Sequence, residues 1–265
     1  MTTAKSPTTS WVFLSNDIAQ EEIRIAAHYA GGAMMEEVMR GEDIHVNTAA
    51  IIYEKESAAQ VQKTERQHAK TCNFALLYDC SESKLGELCP WLRACQEHSS
   101  KADDGCGACR TRLPGVYQRL RSRWDSLVTW QQEARTFARG HGYAITLAGR
   151  RYIVSDLYAG RANDQARADR IAVNHPIQGT GADIIKIAMH LCYDEAKAVK
   201  LKGSIRIQVH DDLVIACPRK EVYQWVNITE KAVSLAASQL GLKVPLPVEH
   251  KMGRTWGSLH PITTQ

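Results

Sequence analysis

No stretch of the 265 residues approaches the ~20 consecutive apolar positions that a membrane-spanning helix requires. The opening residues, MTTAKSPTTS, lack the apolar run of a secretory signal and read as a disordered lead over 1–10. No membrane partner is expected, and a cytosolic compartment is. No segment repeats itself, which excludes solenoids and propellers. Nor is there a strong excess of one charge: 33 Lys and Arg stand against 29 Asp and Glu, for a net charge of +4. Such a mild basic balance permits a polyanionic partner without requiring one. Because a reducing compartment disfavours disulfides, the spacing of the eight cysteines matters more than their number.

Apolar residues make up 44 % of the chain, enough for a sizeable core. The order of elements predicts an α+β fold. Trp11–Leu14 reads as a buried strand ended by Asp17, with helices over 23–30 and 33–39. Residues 57–79 contain no Gly or Pro and read as one long helix. The segment 80–110, rich in Cys, Ser and Gly, reads as a loop-rich insert. Helix returns after Pro114 and runs to Gly140, then a strand pair turns at Ala148-Gly149. A helix from about Gln165 is expected to break at Pro176 and resume at Gly179. SIRIQVHDDLVIACP is the clearest hairpin, with His210-Asp211-Asp212 at its tip. A helix over 220–240 and a strand near 244–249 close the order.

Three constellations carry chemistry. Arg66, Lys70, Phe74 and Tyr78 are spaced by four, and four residues turn a helix through about 400°, so they wind slowly along one face. Two cations followed by two aromatics suit a triphosphate and its base: Arg offers a fork to phosphate oxygens, Lys a point charge and a proton. A solvated helix face with half-buried aromatics is the plainer alternative. Asp17 and Asp211 are strand-end carboxylates of the kind magnesium takes together with substrate phosphates; taken singly, a helix N-cap and a turn residue explain them as well. Arg170, Asn174 and Gln178, again spaced by four, suit either a nucleic-acid minor groove or water. The following Gly179 and Gly181 each cost a helix about 1 kcal/mol, and imply close approach by another backbone.

These residues fall into blocks with a familiar order. DIAQEEIR (17–24) resembles motif A of family A DNA polymerases, usually written DYSQIELR. RQHAKTCNFALLY (66–78) resembles motif B, and VHDDLV (209–214) resembles motif C, usually VHDEL. NHPIQGTGADIIK (174–186) and GYAITLAGRR (142–151) match two further blocks.

The resemblance implies a polymerase palm over 11–56 and 141–265, built as an antiparallel sheet with helices, and helical fingers over 57–140 carrying the insert at 80–110. It implies a DNA-templated DNA polymerase. Asp17, the backbone carbonyl of Ile18 and Asp211 would hold two magnesium ions, with Asp212 as auxiliary carboxylate. Arg66 and Lys70 would bind the incoming triphosphate, Lys70 acting as general acid, and Gln20 and His45 would assist at the phosphates. Phe74 would stack near sugar and base, and Tyr78 would sit at the template-base position. Glu22 would be the steric gate against ribonucleotides and a hydrogen-bond partner of Tyr78. Arg170, Asn174, Gln178 and His210 would contact primer–template DNA.

Departures accompany the match: Ile18 and Ala19 replace Tyr and Ser of motif A, Ala75 and Asp79 replace glycines of motif B, and Asp212 is one methylene shorter than the usual Glu. Only about ten residues precede the motif A strand, so the thumb is expected to be absent and a partner chain to supply it together with the N-terminal palm. The expected setting is the cytoplasm of a bacterium or of a phage-infected host. A single-subunit RNA polymerase and a non-catalytic DNA-binding module that keeps the fold are the alternatives. Within the insert, Cys95 and His98, then Cys106 and Cys109, form two short-spaced pairs of the type a structural zinc knuckle uses, with Cys89 as a spare. Seven residues separate the pairs, which is short for a common zinc finger, and a loop of ordinary thiols fits equally well.

Overall fold

A computed structural model describes residues 10–93 and 106–262. The chain divides into two compact units, one of residues 1–22 and 178–265, the other of residues 23–177.

The first unit is built on a five-stranded antiparallel sheet of order β4-β5-β1-β6-β7. Its strands are β1 (Trp11–Ile18), β4 (Ser204–Val209), β5 (Asp212–Pro218), β6 (Val248–Gly253) and β7 (His260–Pro261). Strand β1 is central: Val12, Leu14, Asn16 and Ile18 alternate onto one face and are each at most 4 % exposed. The expected strand at 11–14 is therefore longer, reaching past Asp17. Helix α9 (Val222–Gln239) buries Trp225, Val226, Thr229, Val233 and Ala236. A polar thread runs through this unit. His250 lies 2.8 Å from Asn16 Oδ1 and 3.1 Å from Glu230 Oε1, while Asn16 Nδ2 donates to the Leu213 carbonyl.

The second unit is mainly helical. It contains α1 (Glu21–Ala30, from its third residue), α2 (Gly32–Met39), α3 (Ile44–Ile52), α4 (Lys63–Leu77), α5 (Glu82–Leu88), α6 (Gly107–Arg123) and α7 (Asp125–His141). A hairpin, β2 (Tyr143–Ile145) and β3 (Arg151–Ile153), follows, and then α8 (Ala162–Ala198), which runs on into the first unit. The core gathers Ala49 and Ile52 of α3, Ala69, Cys72 and Leu76 of α4, and Leu85, Leu113 and Leu120 from α5 and α6.

Several local expectations change. The long helix over 57–79 is α4 alone, preceded by a 3-10 turn at Ala58–Gln60. Helix α3 has apolar residues on every side, so no amphipathic period announces it. The segment 80–110 is not simply loop: Ser81 caps α5, its Oγ accepting from Lys84 N at 3.2 Å, and α6 begins at Gly107, before Pro114 rather than after it. Helix α8 runs through Pro176 unbroken. Proline removes one N–H and crowds the preceding turn. Here the buried Ala172, Val173 and Ile177 flank it, and Tyr29 Oη donates to the Pro176 carbonyl at 3.4 Å.

Candidate functional site

In the sheet unit, β1 and β5 are in antiparallel register with Asp17 opposite Asp212. Val209 pairs with Asp212, leaving His210 and Asp211 as a two-residue turn, and His210 takes the left-handed φ of 54° that such tight turns use. Ile18 N donates to the Asp211 carbonyl at 3.3 Å, so the tip folds onto the end of β1. The two motif aspartates are brought together by this pairing. Burial pushes the Asp17 carboxyl up to about 6, with the charges of Asp211, Asp212 and Glu249 adding and Lys251 opposing.

Asp212 faces differently. Ser15 Oγ lies 3.0 Å from each of its oxygens, and Asn16 N donates to Oδ1 at 2.9 Å. The shorter side chain is tied to β1 and braces the strand that carries Asp17. Gln20, at φ 55°, makes the bend between β1 and α1. Glu22 Oε1 accepts from Gln178 Nε2 at 3.4 Å.

Nothing in its sequence context marks Glu21. It stands where the motif has isoleucine, yet it is 8 % exposed, and its Oε1 is buried without a hydrogen-bond partner among the described residues. Burial, then Asp211, Glu22 and Asp17, push its carboxyl up to about 8. A Cβ on Gly181 would stand 2.5 Å from Glu21 Oε2. The close approach at this glycine is thus made by a carboxyl side chain, and not by another backbone.

Because the native state holds the Glu21 proton more tightly than the unfolded chain, stability falls as pH rises from about 4.5 to about 8. In metal-free protein, Glu21→Gln is expected to match the parent near pH 4.5 and to gain a few kcal/mol by pH 8, levelling above it. Denaturant unfolding of both proteins over pH 4.5–9 checks this, and parallel curves would refute it.

In the helical unit, α4 presents the predicted stripe. Its other face is buried, which turns Arg66, Lys70, Phe74 and Tyr78 outward. Lys70 Nζ lies 5.8 Å from the Phe74 ring centre, and the Phe74 and Tyr78 ring centres are 6.4 Å apart. Asp43 caps α3, its Oδ1 accepting from His45 N at 2.9 Å and Val46 N at 3.1 Å, while Oδ2 pairs with Arg66 Nε at 2.7 Å. That cap sets His45 beside the stripe, 6.2 Å from Phe74 between ring centres.

The carboxyl end of α4 is held by three side chains. Gln131 Nε2 donates to the Leu76 and Leu77 carbonyls at 2.9 and 3.2 Å. Asp79, at φ 54°, pairs with Arg135 and, at 3.5 Å, with Arg121. A carboxylate thus holds, through two arginines, a left-handed position that glycine would adopt freely. Beside this end lies a cleft of about 1150 Å³ lined by Lys70, Phe74, Tyr78, Asp79, Arg135 and Arg170 among others. It is large enough for a nucleobase with its sugar and phosphates.

On α8, Arg170 is exposed and borders this cleft, and Asn174 Oδ1 is buried without a partner among the described residues. Gln178 and His210 are exposed in the sheet unit. Cys95 and His98 lie outside the described residues, as does the Cys109 side chain; Cys106 directly precedes α6. Cys89 is fully buried with its sulfur 3.5 Å from that of Cys72, a packing position in the helical core. Among the described residues, no three His, Cys, Asp or Glu side chains form a ready-made metal cage, and no helix is long and apolar enough to cross a membrane. Asp17 and Asp211 nonetheless suit a hard cation that keeps oxygen ligands from elsewhere, since their mutual repulsion is what such an ion relieves.

The family model for DNA polymerase family A matches residues 2–258. DNA polymerase I of Lactococcus lactis subsp. lactis is 29 % identical over 251 residues, covering 94 % of this chain and 26 % of that protein. DNA polymerase I of Caldicellulosiruptor bescii is 33 % identical over 246 residues, covering 92 % and 26 %. The polymerase domain of Pol1 from M. smegmatis, solved in complex with DNA primer-template and dNTP, superposes with a TM-score of 0.80 at 26 % identity, covering 92 % of this chain and 40 % of that one. The chain therefore spans about a quarter of the length of these curated relatives, and its α+β architecture is that of a family A polymerase domain. With its motifs in order, its fold matched and nearly its whole length covered by the family model, this chain belongs to DNA polymerase family A.

Proposed function

We propose that this chain carries out template-directed, magnesium-dependent addition of deoxynucleotides to a primer 3′ end. The observation that supports this most is the pairing of β1 with β5, which joins two carboxylates from distant motifs at one sheet end.

Asp17, Asp211 and the Ile18 carbonyl would hold magnesium, which supplies activation of the primer hydroxyl and neutralisation of pyrophosphate charge. The primer 3′ oxygen, its proton lost to water, would bond to the α-phosphorus, and the bond from the α-phosphorus to the α,β-bridging oxygen would break, that oxygen leaving on pyrophosphate. Arg66 and Lys70 would orient the triphosphate, and Lys70 would give its proton to the departing pyrophosphate. Gln20 and His45 would assist at the phosphates, Phe74 would pack on sugar and base, and Tyr78 would mark the template-base position. Arg170, Asn174, Gln178 and His210 would follow the minor groove. A firm grip on duplex DNA would call for surface beyond these 265 residues, from a partner chain or a longer polypeptide. Work on intracellular DNA agrees with a cytoplasmic setting.

Primer extension with magnesium, alone and with proteins co-purified from the native source, tests the reading. Absence of magnesium-dependent primer extension in both would refute it. Glu22 supports a DNA rather than RNA product. Glu22→Ala is expected to raise ribonucleotide incorporation relative to deoxynucleotide by at least about tenfold, since a steric gate of ~1–3 kcal/mol would be removed. An unchanged ratio in competing-nucleotide assays would reject Glu22 as the gate.

A further inference from the structure

A buried polar chain in the helical unit has a direction that its chemistry dictates. Arg123 Nη1 lies 2.7 Å from Thr48 Oγ1, and a guanidinium can only donate. The Thr48 hydroxyl hydrogen is then free for Asn73 Oδ1, 2.8 Å away. Asn73 Nδ2 lies 3.5 Å from the Ile44 carbonyl, which can only accept, and an amide turned the other way round would set its oxygen against that carbonyl. The same nitrogen lies 2.9 Å from His45 Nδ1. Each link therefore donates to the next, and His45 Nδ1 is left as an acceptor. Thr48, Asn73 and His45 are 0 %, 1 % and 2 % exposed, so water does not compete for these bonds. The far end is fixed as well, because Arg123 pairs with Glu37 of α2, which also accepts from Trp124 Nε1.

We propose that Asn73, backed by Thr48 and Arg123, is a positioning residue for nucleotide binding: by donating to Nδ1 it places the imidazole proton of His45 on Nε2, as a donor to the terminal phosphates of the incoming triphosphate. This rests on the polymerase reading above, which sets His45 with Arg66 and Lys70 at the phosphates. A neutral donor has a use there. Two cations already face the site, and a third would bind pyrophosphate too firmly after the reaction, whereas an N–H dipole orients a phosphate without adding charge. The charged groups facing the ring are Asp43 from the cap of α3 and Arg66 and Lys70 from α4. Burial, opposed by Asp43 and reinforced by Arg66 and Lys70, holds the imidazole down at about 4, so the ring stays neutral across the working range.

The tautomer can be read directly. In the intact chain labelled with 15N at histidine, and with His45 assigned by its loss in His45→Gln, the expected spectrum over pH 6–8 has an unprotonated Nδ1 and a protonated Nε2. Adding magnesium and dTTP is expected to move the Nε2 signal. An Nδ1–H or charged ring at pH 7, or an Nε2 signal indifferent to saturating dTTP, would overturn the proposal. Neither readout depends on turnover, so a chain that binds dTTP at His45 but extends no primer, alone or with its co-purified proteins, would contradict the polymerase reading and leave this one standing. In Asn73→Asp the carboxylate can only accept, so Nδ1 keeps a proton and donates it as a hydrogen bond; the ring then titrates near neutrality, and it is Nε2 that loses its proton as pH rises. Its KM for dTTP is expected to climb about tenfold between pH 6.5 and 8.5 relative to the parent, with kcat little changed. Thr48→Val, nearly isosteric, should give a mixture of neutral tautomers and a smaller rise in KM that is the same at every pH. In Asn73→Asp a structural role alone would shift stability but leave the pH dependence of KM flat, and that result would also overturn the proposal.

Discussion

Replacing Asp211 with alanine is expected to lower the primer-extension rate by roughly 10³-fold, through loss of charge stabilisation where the transferring phosphate sits. The fold should not suffer. Asp211 occupies a turn, and the ladder that places it is made by the backbones of β4, β5 and β1. Its charge helps to hold the Asp17 carboxyl up at about 6, so removing it relieves repulsion. Asp17 should then titrate at lower pH, and the unfolding midpoint at pH 7 should hold steady or rise slightly. A variant that is inactive and also markedly less stable would contradict this, because it would make Asp211 a structural residue. Magnesium-dependent dTTP binding, followed by fluorescence, should weaken in parallel with the rate. Asp212→Ala should behave in the opposite sense, losing stability through the freed Ser15 hydroxyl and Asn16 amide while retaining more of the rate.

Lys70→Ala is expected to lower kcat by about 10²–10³-fold, the usual worth of a positioned proton donor, with a smaller rise in KM. Lys70 is exposed on α4, and its nearest ring is Phe74, so its loss disturbs no core packing. Lys70→Arg separates charge from proton transfer. Guanidinium retains the cation but does not give up its proton in proteins, so binding should recover and the rate should not. A deoxynucleotide analogue with a more acidic pyrophosphate leaving group should narrow the gap between parent and variant. Equal recovery of rate and binding in Lys70→Arg would leave Lys70 a simple electrostatic contact.

Local features were legible where one short window contained all the information. Spacing by four laid Arg66, Lys70, Phe74 and Tyr78 along one face of α4, and the alternation around His210-Asp211-Asp212 announced the hairpin. Legibility failed where the window was uniform or a single residue misled. Helix α3 has apolar residues on every side and carries no clear period, and its Asp43 cap is recognisable only once the helix is known. Pro176 predicted a break that buried neighbours on both sides override. In sequence, Glu21 is one of two adjacent glutamates at a helix start, with nothing local to mark it as buried. Its environment, a buried carboxyl over the space left by Gly181, depends on a residue far along the chain.

The sequence by itself determined which groups are available for chemistry and which local face each occupies, because helical and strand periodicities are short-range properties of the backbone. It also determined the family, because five ordered blocks reproduce a known motif order. Only the tertiary structure decided which groups meet. Asp17 reaches Asp211 through the β1–β5 register, Asp212 turns back onto Ser15 and Asn16, and Asn73 reaches His45 through the packing of α4 on α3. Such contacts join residues whose separation in sequence carries no periodic signal. They form only when burial of a shared core offsets the entropy of closing the intervening chain.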